Sequence, residues 1–208
     1  MDSNRSPNPA QKIIAIAGGS GSGKTWLAQR LIDHFQDSAV LVSIDWYYKD
    51  LSHLTKEQAS QTNFDHPDAI DTALLFSHIK TLIEGHPIEA PSYDFSTYQR
   101  NTKTTEIHPS NILLIEGLHA LWHSKIRQSL THSVFIDVPS PLRLARRIRR
   151  DQRERGYPPQ VVLNMWHNKT APMHQTFVAP TREHAQTVWS PDHDDSHASH
   201  LIKQLSQT

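Results

Sequence analysis

The chain has 208 residues, 21 Lys and Arg against 21 Asp and Glu, 15 His and no Cys. Its length fits one domain with a modest insertion, large enough to bury a core without disulfides or a structural metal. Balanced charge excludes a highly charged disordered chain and a nucleic-acid-coating protein, and zero Cys excludes disulfide frameworks, thiol catalysis and zinc–thiolate sites.

Residues 1–10 read as a disordered lead without the apolar segment of a signal peptide. No apolar run approaches the ~18 residues of a membrane helix. A soluble, cytoplasmic protein with no membrane partner is therefore expected. Residues 11–190 read as the folded domain. Lys12 to Ala17 is a short apolar run stopped by glycines, which suits a buried parallel strand. Trp26 to Phe35 carries a helical apolar stripe. Val40 to Ile44 is a second buried strand ending at Asp45. Ala69 to Ile83 reads as a helix, and the stretch from Pro87 to Pro109 as a hairpin-like insertion. Asn111 to Ile115 is a third strand, ending at Glu116, and Ser133 to Val138 a fourth. Ser140 is the expected cap of the next helix, with Pro141 at its first position. Residues 160–178 read as a helix that Pro172 should kink or end. Residues 191–208 form a polar tail with one short helix. Strands alternating with helices predict an α/β fold with a mainly parallel sheet.

Gly18, Gly19, Ser20, Gly21, Ser22, Gly23, Lys24 and Thr25 match G-x-x-x-x-G-K-[ST] between a strand and a helix. Glycines let backbone N–H groups turn inward as an anion nest, and the helix dipole adds to the same spot. Lys24 would reach the β- and γ-phosphates, and the Thr25 hydroxyl would bind Mg²⁺. The alternative is a Gly/Ser linker that happens to contain Gly-Lys-Thr, against which the strand–loop–helix context counts. Ligands of open α/β sheets lie beyond the carboxyl ends of the strands, where Asp45 and Glu116 sit. Phosphoryl transfer needs one carboxylate to take the acceptor's proton and another at the metal. Asp45 suits the first role and Glu116 the second; otherwise each caps a following turn.

Arg143, Arg146, Arg147, Arg149, Arg150, Arg153 and Arg155 crowd one segment, with Leu142, Ala145 and Ile148 as its apolar stripe. Arg143, Arg147 and Arg150 share another face, which can close on phosphates as a lid, about residues 147–160; it could also be a solvated face or a nucleic-acid patch. RNA binding is not expected, because aromatic residues do not interleave with the basic ones. His193, His197 and His200 have helical spacing beside Asp192, Asp194 and Asp195. A Zn²⁺ or Ni²⁺ site there competes with a frayed, solvated helix, which lacks the buried surroundings of a metal site.

Taken together, these segments resemble the uridine–cytidine kinase family, within the wider phosphoribulokinase/uridine kinase superfamily. The likeness runs from about Lys12 to about Thr187. It rests on the Gly18–Thr25 loop, Asp45-Trp46-Tyr47-Tyr48-Lys49-Asp50, Asn63-Phe64-Asp65-His66-Pro67-Asp68-Ala69, Tyr93-Asp94-Phe95, Glu116-Gly117, Arg146 to Asp151 with Glu154-Arg155-Gly156, and Pro180-Thr181. The resemblance implies a P-loop kinase with ATP and Mg²⁺, acting on a small-molecule nucleoside and not on nucleic acid. It implies Asp45 as the base for a nucleoside 5′-hydroxyl; Thr25, Asp45 and Glu116 around Mg²⁺; and Asp65 on the ribose hydroxyls. Arg147 would hold the nucleoside, Arg150 and Arg155 would be lid arginines, and Tyr93, Phe95 and Tyr98 would line the base pocket. It also implies a homo-oligomer, often a tetramer in that family. Three positions depart from the family pattern: Tyr98 where histidine is common, Tyr157 where arginine follows Glu-Arg-Gly, and Met165 where glutamine is usual. The strand-ending Pro-Arg-Gly is replaced by Val188-Trp189-Ser190-Pro191-Asp192. The expected reaction is ATP-dependent phosphorylation of the 5′-hydroxyl of uridine, cytidine or both, with a cytidine preference or another ribosyl acceptor following from the departures. Two rivals are a phosphoribulokinase-like enzyme with a sugar-phosphate acceptor, supported by Gly117-Leu118-His119-Ala120, and a nucleotide-binding switch without transfer.

Overall fold

The computed structural model describes residues 10–191 and 195–207. The expected lead at residues 1–9, Asp192, His193, Asp194 and Thr208 lie outside the described residues. In chain order the elements are β1 (Lys12–Gly18), α1 (Lys24–Phe35), β2 (Ala39–Ser43), α2 (Lys56–Ser60) and α3 (Thr72–Ile83). There follow β3 (Ile88–Ala90), β4 (Tyr93–Asp94), β5 (Gln99–Arg100), β6 (Thr105–Ile107), β7 (Ile112–Glu116), α4 (Ser124–Arg127) and β8 (His132–Ile136). The chain closes with α5 (Ser140–Arg155), α6 (Pro159–Met165), α7 (Ala171–Met173), β9 (Thr187–Trp189) and α8 (Asp195–Gln207).

The five strands β2-β7-β1-β8-β9 form one parallel sheet. Central strands buried on both faces read as unbroken apolar runs, as β1 and β7 do. Their side chains still divide by period two between the layers. Ile13, Ala15, Leu113 and Ile115 pack toward Leu75, Ile79 and Leu82 of α3. Ile14, Ile16, Leu114 and Val134 pack toward Leu27, Ala28 and Leu31 of α1. Between Pro87 and Pro109 the chain makes two short antiparallel pairs, β3 with β6 and β4 with β5, beside the carboxyl end of β2. Among the described residues no helix is long and apolar enough to cross a membrane.

Four local expectations are corrected. Helix α3 begins at Thr72 rather than Ala69, because the Asp71 carboxylate caps it by accepting from Leu74 N–H at 3.1 Å. Ser140 is inside α5; Pro139 occupies the cap position and no side chain caps that end. Pro172 does not end its helix. Residues 166–170 and 174–178 form wide π turns on either side of α7, and this looser winding absorbs the missing proline N–H. Finally, the C-terminal helix is packed and not frayed. Leu201, Ile202 and Leu205 lie in the α1-side core, and Lys12 Nζ donates to the Leu205 carbonyl at 3.1 Å. Its apolar residues fall at i, i+1 and i+4, one stripe of a helix.

If α8 is part of the core, Leu205→Ala should lower the unfolding free energy by about 2–5 kcal/mol, as truncation of a buried leucine does. Urea unfolding measures this; a change below about 0.5 kcal/mol is what an undocked surface helix would give.

Candidate active site

The loop between β1 and α1 turns sharply enough to need glycine. Gly21 has φ +77° and a Cβ there would collide with the Arg143 carbonyl; Gly23, capping α1, has φ +99°. Lys24 Nζ donates to the Gly19 carbonyl at 3.2 Å, beneath the loop. Burial draws the Lys24 pKa down, opposed chiefly by Glu116 and Asp45.

Those carboxylates come from neighbouring strands. Asp45 lies in the 3₁₀ turn that follows β2, and Glu116 ends β7, level with Ser43 in the strand register. The Ser43 hydroxyl donates to Glu116 Oε1 at 2.6 Å. Burial raises the Glu116 pKa, and the Asp45 charge raises it further; Lys24 and hydrogen bonds from Ser43 and Thr25 pull it back. Two carboxylates and a hydroxyl thus converge where negative charge is under-compensated.

A further side of the cleft is built from the 63–69 loop. Asp65 Oδ2 accepts from the Thr170 hydroxyl at 2.8 Å, and Oδ1 lies 3.5 Å from Arg147 Nη1. Its backbone carbonyl accepts from His119 Nε2 at 3.2 Å. A carbonyl cannot donate, so the proton is on Nε2 and Nδ1 is left as an acceptor. That Nδ1 is buried with no partner among the described residues. Burial lowers the His119 pKa to about 4, with the nearby His123 as the second cause.

Helix α5 lies over this centre with its expected arginine face inward. Arg143, Arg147 and Asp151 are its buried residues, while Ala145, one of the three apolar residues expected to face the core, is exposed. Leu142 at its start packs on the α1-side core, while Arg143 and Arg147 meet the polar phosphate loop, so charged groups with fixed partners turn in there. Arg147 Nη1 donates to Ser20 Oγ at 3.0 Å, and its Nε donates to Asp151 at 3.3 Å. Asp151, fully buried, also meets Arg150 at 2.9 Å and Arg155 at 3.8 Å. Arg155 in turn sits 4.3 Å from the Phe95 ring centroid.

The far wall is aromatic. Phe64 stacks on Tyr98 with centroids 5.6 Å apart and planes 14° from parallel. Tyr98 has φ +61°, held by its N–H on the Asp94 carbonyl at 2.8 Å. Its hydroxyl stands 3.3 Å from the Tyr157 hydroxyl, and burial followed by that contact pushes its pKa up to about 12. Lys24, Thr25, Asp45, Asp65, Phe95, Tyr98, Glu116, Arg147, Arg150, Arg155, Tyr157 and Met165 all line one open cleft. Of the expected base-pocket residues, Tyr93 does not: it stands behind, against Tyr48, Phe64 and Phe95.

Asp151, Thr170, His119 and Lys169 were not singled out for a role by their sequence pattern. Asp151 was legible, being four residues from both Arg147 and Arg155. Thr170 meets Asp65 across 105 residues, which no local pattern encodes. Lys169 Nζ donates to the carbonyls of Ser60, Gln61 and Thr62 at 3.1–3.4 Å, tying α2 to the cleft. The histidine metal site is not supported: His193 lies outside the described residues, His200 is exposed, and among the described residues no group of three or more His, Asp or Glu could hold a metal.

A parallel sheet with a glycine phosphate loop at its mouth, strand-end carboxylates and an arginine helix above defines the class of P-loop kinases. A sequence model of the Phosphoribulokinase / Uridine kinase family matches residues 13–192, and the chain belongs to that family. It is 40% identical over 177 residues to a uridine kinase of Staphylococcus epidermidis, covering 85% of this chain and 86% of the relative. It is likewise 40% identical over 177 residues to a uridine kinase of Clostridium perfringens, covering 85% of each chain. Among solved structures, phosphoribulokinase from Rhodobacter spheroides superimposes with a TM-score of 0.64 at 16% identity, covering 90% of this chain and 73% of that one. At that identity the superposition reports shared fold alone.

Asp151→Asn should destabilise the protein by about 3–5 kcal/mol, because it strands buried cations. Glu154→Gln, which loses only an exposed pair with Arg153, should cost less than about 1 kcal/mol; chemical denaturation compares the two.

The buried His119 also sets a pH dependence. Below about pH 6.5 the unfolded chain takes up a proton that the folded His119 refuses until about pH 4. Its contribution to stability is therefore present at neutral pH and falls as pH drops through that window, by about 3 kcal/mol in all. His119→Asn should flatten the slope of unfolding free energy against pH between those limits.

Proposed function

We propose that this chain transfers the γ-phosphoryl group of ATP to the 5′-hydroxyl of a pyrimidine ribonucleoside. The observation that carries the reading is the Arg147 guanidinium, which bridges Ser20 of the phosphate loop and Asp65 of the acceptor loop. Uridine kinase relatives at 40% identity support it. The aromatic wall of Phe64, Phe95 and Tyr98 suits a flat base better than a sugar phosphate, which weighs against the phosphoribulokinase-like alternative. A switch protein would have no use for such a wall.

In this reading the loop N–H groups and Lys24 hold the phosphates. Thr25, Asp45 and Glu116 fit Mg²⁺: all three offer hard oxygen donors, and burial, then the Asp45 charge, raises the Glu116 pKa. When bound, the ion would neutralise charge on the phosphate oxygens. Asp65, oriented by Thr170 and Arg147, accepts from the ribose hydroxyls and sets the 5′-oxygen beside Asp45. Asp45 takes the hydroxyl proton as the oxygen attacks in line. Lys24, Arg150 and Arg155 stabilise the charge that spreads over the transferring oxygens. Arg150 and Arg155 are already in place through Asp151, so positioning precedes binding. Tyr98 and Tyr157 offer two neutral hydroxyls to the base edge. Each can donate or accept, so base choice follows from how the pair and Met165 orient one another. The substrates are soluble metabolites, consistent with a cytoplasmic enzyme, and the docked α8 extends the proposed domain to Gln207.

Asp45→Asn should retain ATP binding and lose about 10²–10⁴-fold in kcat, as loss of a general base does. ADP release with uridine and cytidine as acceptors measures it. Full turnover by that variant would overturn the assignment of the base.

A further inference from the structure

Helix α1 carries a tryptophan that neither the core nor the proposed chemistry requires. Trp26 stands two residues after Lys24, off the buried stripe of Leu27, Ala28 and Leu31, and is 45% exposed. An indole is among the largest apolar surfaces a side chain offers, so leaving half of it in water beside a phosphate loop calls for a reason. Its ring lies nearly parallel to that of Trp189, with centroids 6.3 Å apart and planes 8° from parallel. The Arg30 guanidinium stands 5.4 Å from the Trp26 centroid.

The sheet order says what reaches this pair. Strand β1, with the phosphate loop, is central. Asp45 and Glu116 rise from β2 and β7 on one side, and β8 and β9 lie on the other. A triphosphate whose γ end faces Asp45 must run its α end, and the nucleoside attached to it, toward β8 and β9. Trp189 ends β9 in register with Ile136, which is itself in register with Gly18 of the loop. Trp26 belongs to the helix that opens on Lys24. At the loop itself Arg146 Nη1 lies 3.4 Å from the Ser22 carbonyl.

We propose that Trp26 and Trp189 form the stacking platform for the base of the nucleoside triphosphate donor, with Arg146 flanking it. This rests on the reading above that the donor is such a triphosphate. A base and an indole attract through their π-faces, and such stacking is a major part of binding wherever it occurs. The platform acts on the donor's base alone, since the phosphates are held by the loop.

That separation gives the test. Binding of a non-hydrolysable ATP analogue and of inorganic tripolyphosphate is measured by calorimetry on the full chain, wild type and Trp26→Ala. The analogue should bind about tenfold more weakly to the variant, while tripolyphosphate, which has no base, should bind both within about twofold. Trp26→Phe should restore most of the analogue's affinity, and the loss should show up in the KM for ATP and not in the KM for the nucleoside. Unchanged affinity for the analogue, or an equal loss for both ligands, would overturn the platform; the second would mean that Trp26 supports the loop's fold. A smaller particle by sedimentation with unchanged analogue affinity would overturn it too, and would assign the indoles to a subunit contact. If wild-type protein phosphorylates no nucleoside while Trp26→Ala still separates the two ligands, the acceptor reading fails and the platform stands.

Discussion

The guanidinium of Arg147 holds the molecule's working parts in one geometry. It is almost wholly buried, and from α5 it reaches Ser20 of the phosphate loop, Asp65 of the 63–69 loop and Asp151 of its own helix. A buried cation is tolerated only with its partners in place. The phosphate loop, the 63–69 loop and the lid helix are therefore coupled: displacing any one leaves charge unpaired in the others. Asp151 extends the same logic to Arg150 and Arg155, so the cations that would meet a transferring phosphoryl group are already held by one carboxylate.

Around that tie the sheet separates two tasks. The carboxylates emerge from β2 and β7, Trp26 stacks on Trp189 at the end of β9, and the phosphate loop follows β1 between them. Parallel strands make this division natural, because every strand ends at the same edge and the crossover helices start there. Lys24 sits between opposing influences: burial works against its charge, and Glu116 and Asp45 sustain it. The raised affinity of Glu116 for a proton and the lowered affinity of Lys24 have one origin, burial of charge at the sheet's mouth.

The aromatic wall is built from rings and hydroxyls. Phe64, Phe95 and Tyr98 supply faces, and the Tyr98 and Tyr157 hydroxyls supply the polar edge. Burial holds Tyr98 protonated far above neutral pH, so this wall offers shape and hydrogen-bonding groups and no charge of its own. The positively charged groups stay on the phosphate side, where Arg155 passes from one environment to the other by lying over Phe95.

Several features were determined by short-range pattern alone. The Gly18–Thr25 loop, the apolar runs that end at Asp45 and Glu116, and the proline-bounded insertion are each written in a few consecutive residues, because turns, buried strands and anion nests are local structures. Other features were decided by tertiary structure. Ala145 of α5 is exposed, off the expected apolar stripe, because much of the helix meets a polar loop, and periodicity reports only burial against apolar surroundings. The polar tail hid a docked helix because its Leu201, Ile202 and Leu205 are sparse among polar residues and only the α1 face shows where they fit. Thr170 on Asp65 and Tyr157 on Tyr98 join residues 105 and 59 positions apart, and Tyr93 was displaced from the cleft by its own ring neighbours. Such contacts depend on how the chain returns to itself in three dimensions, which no single segment encodes.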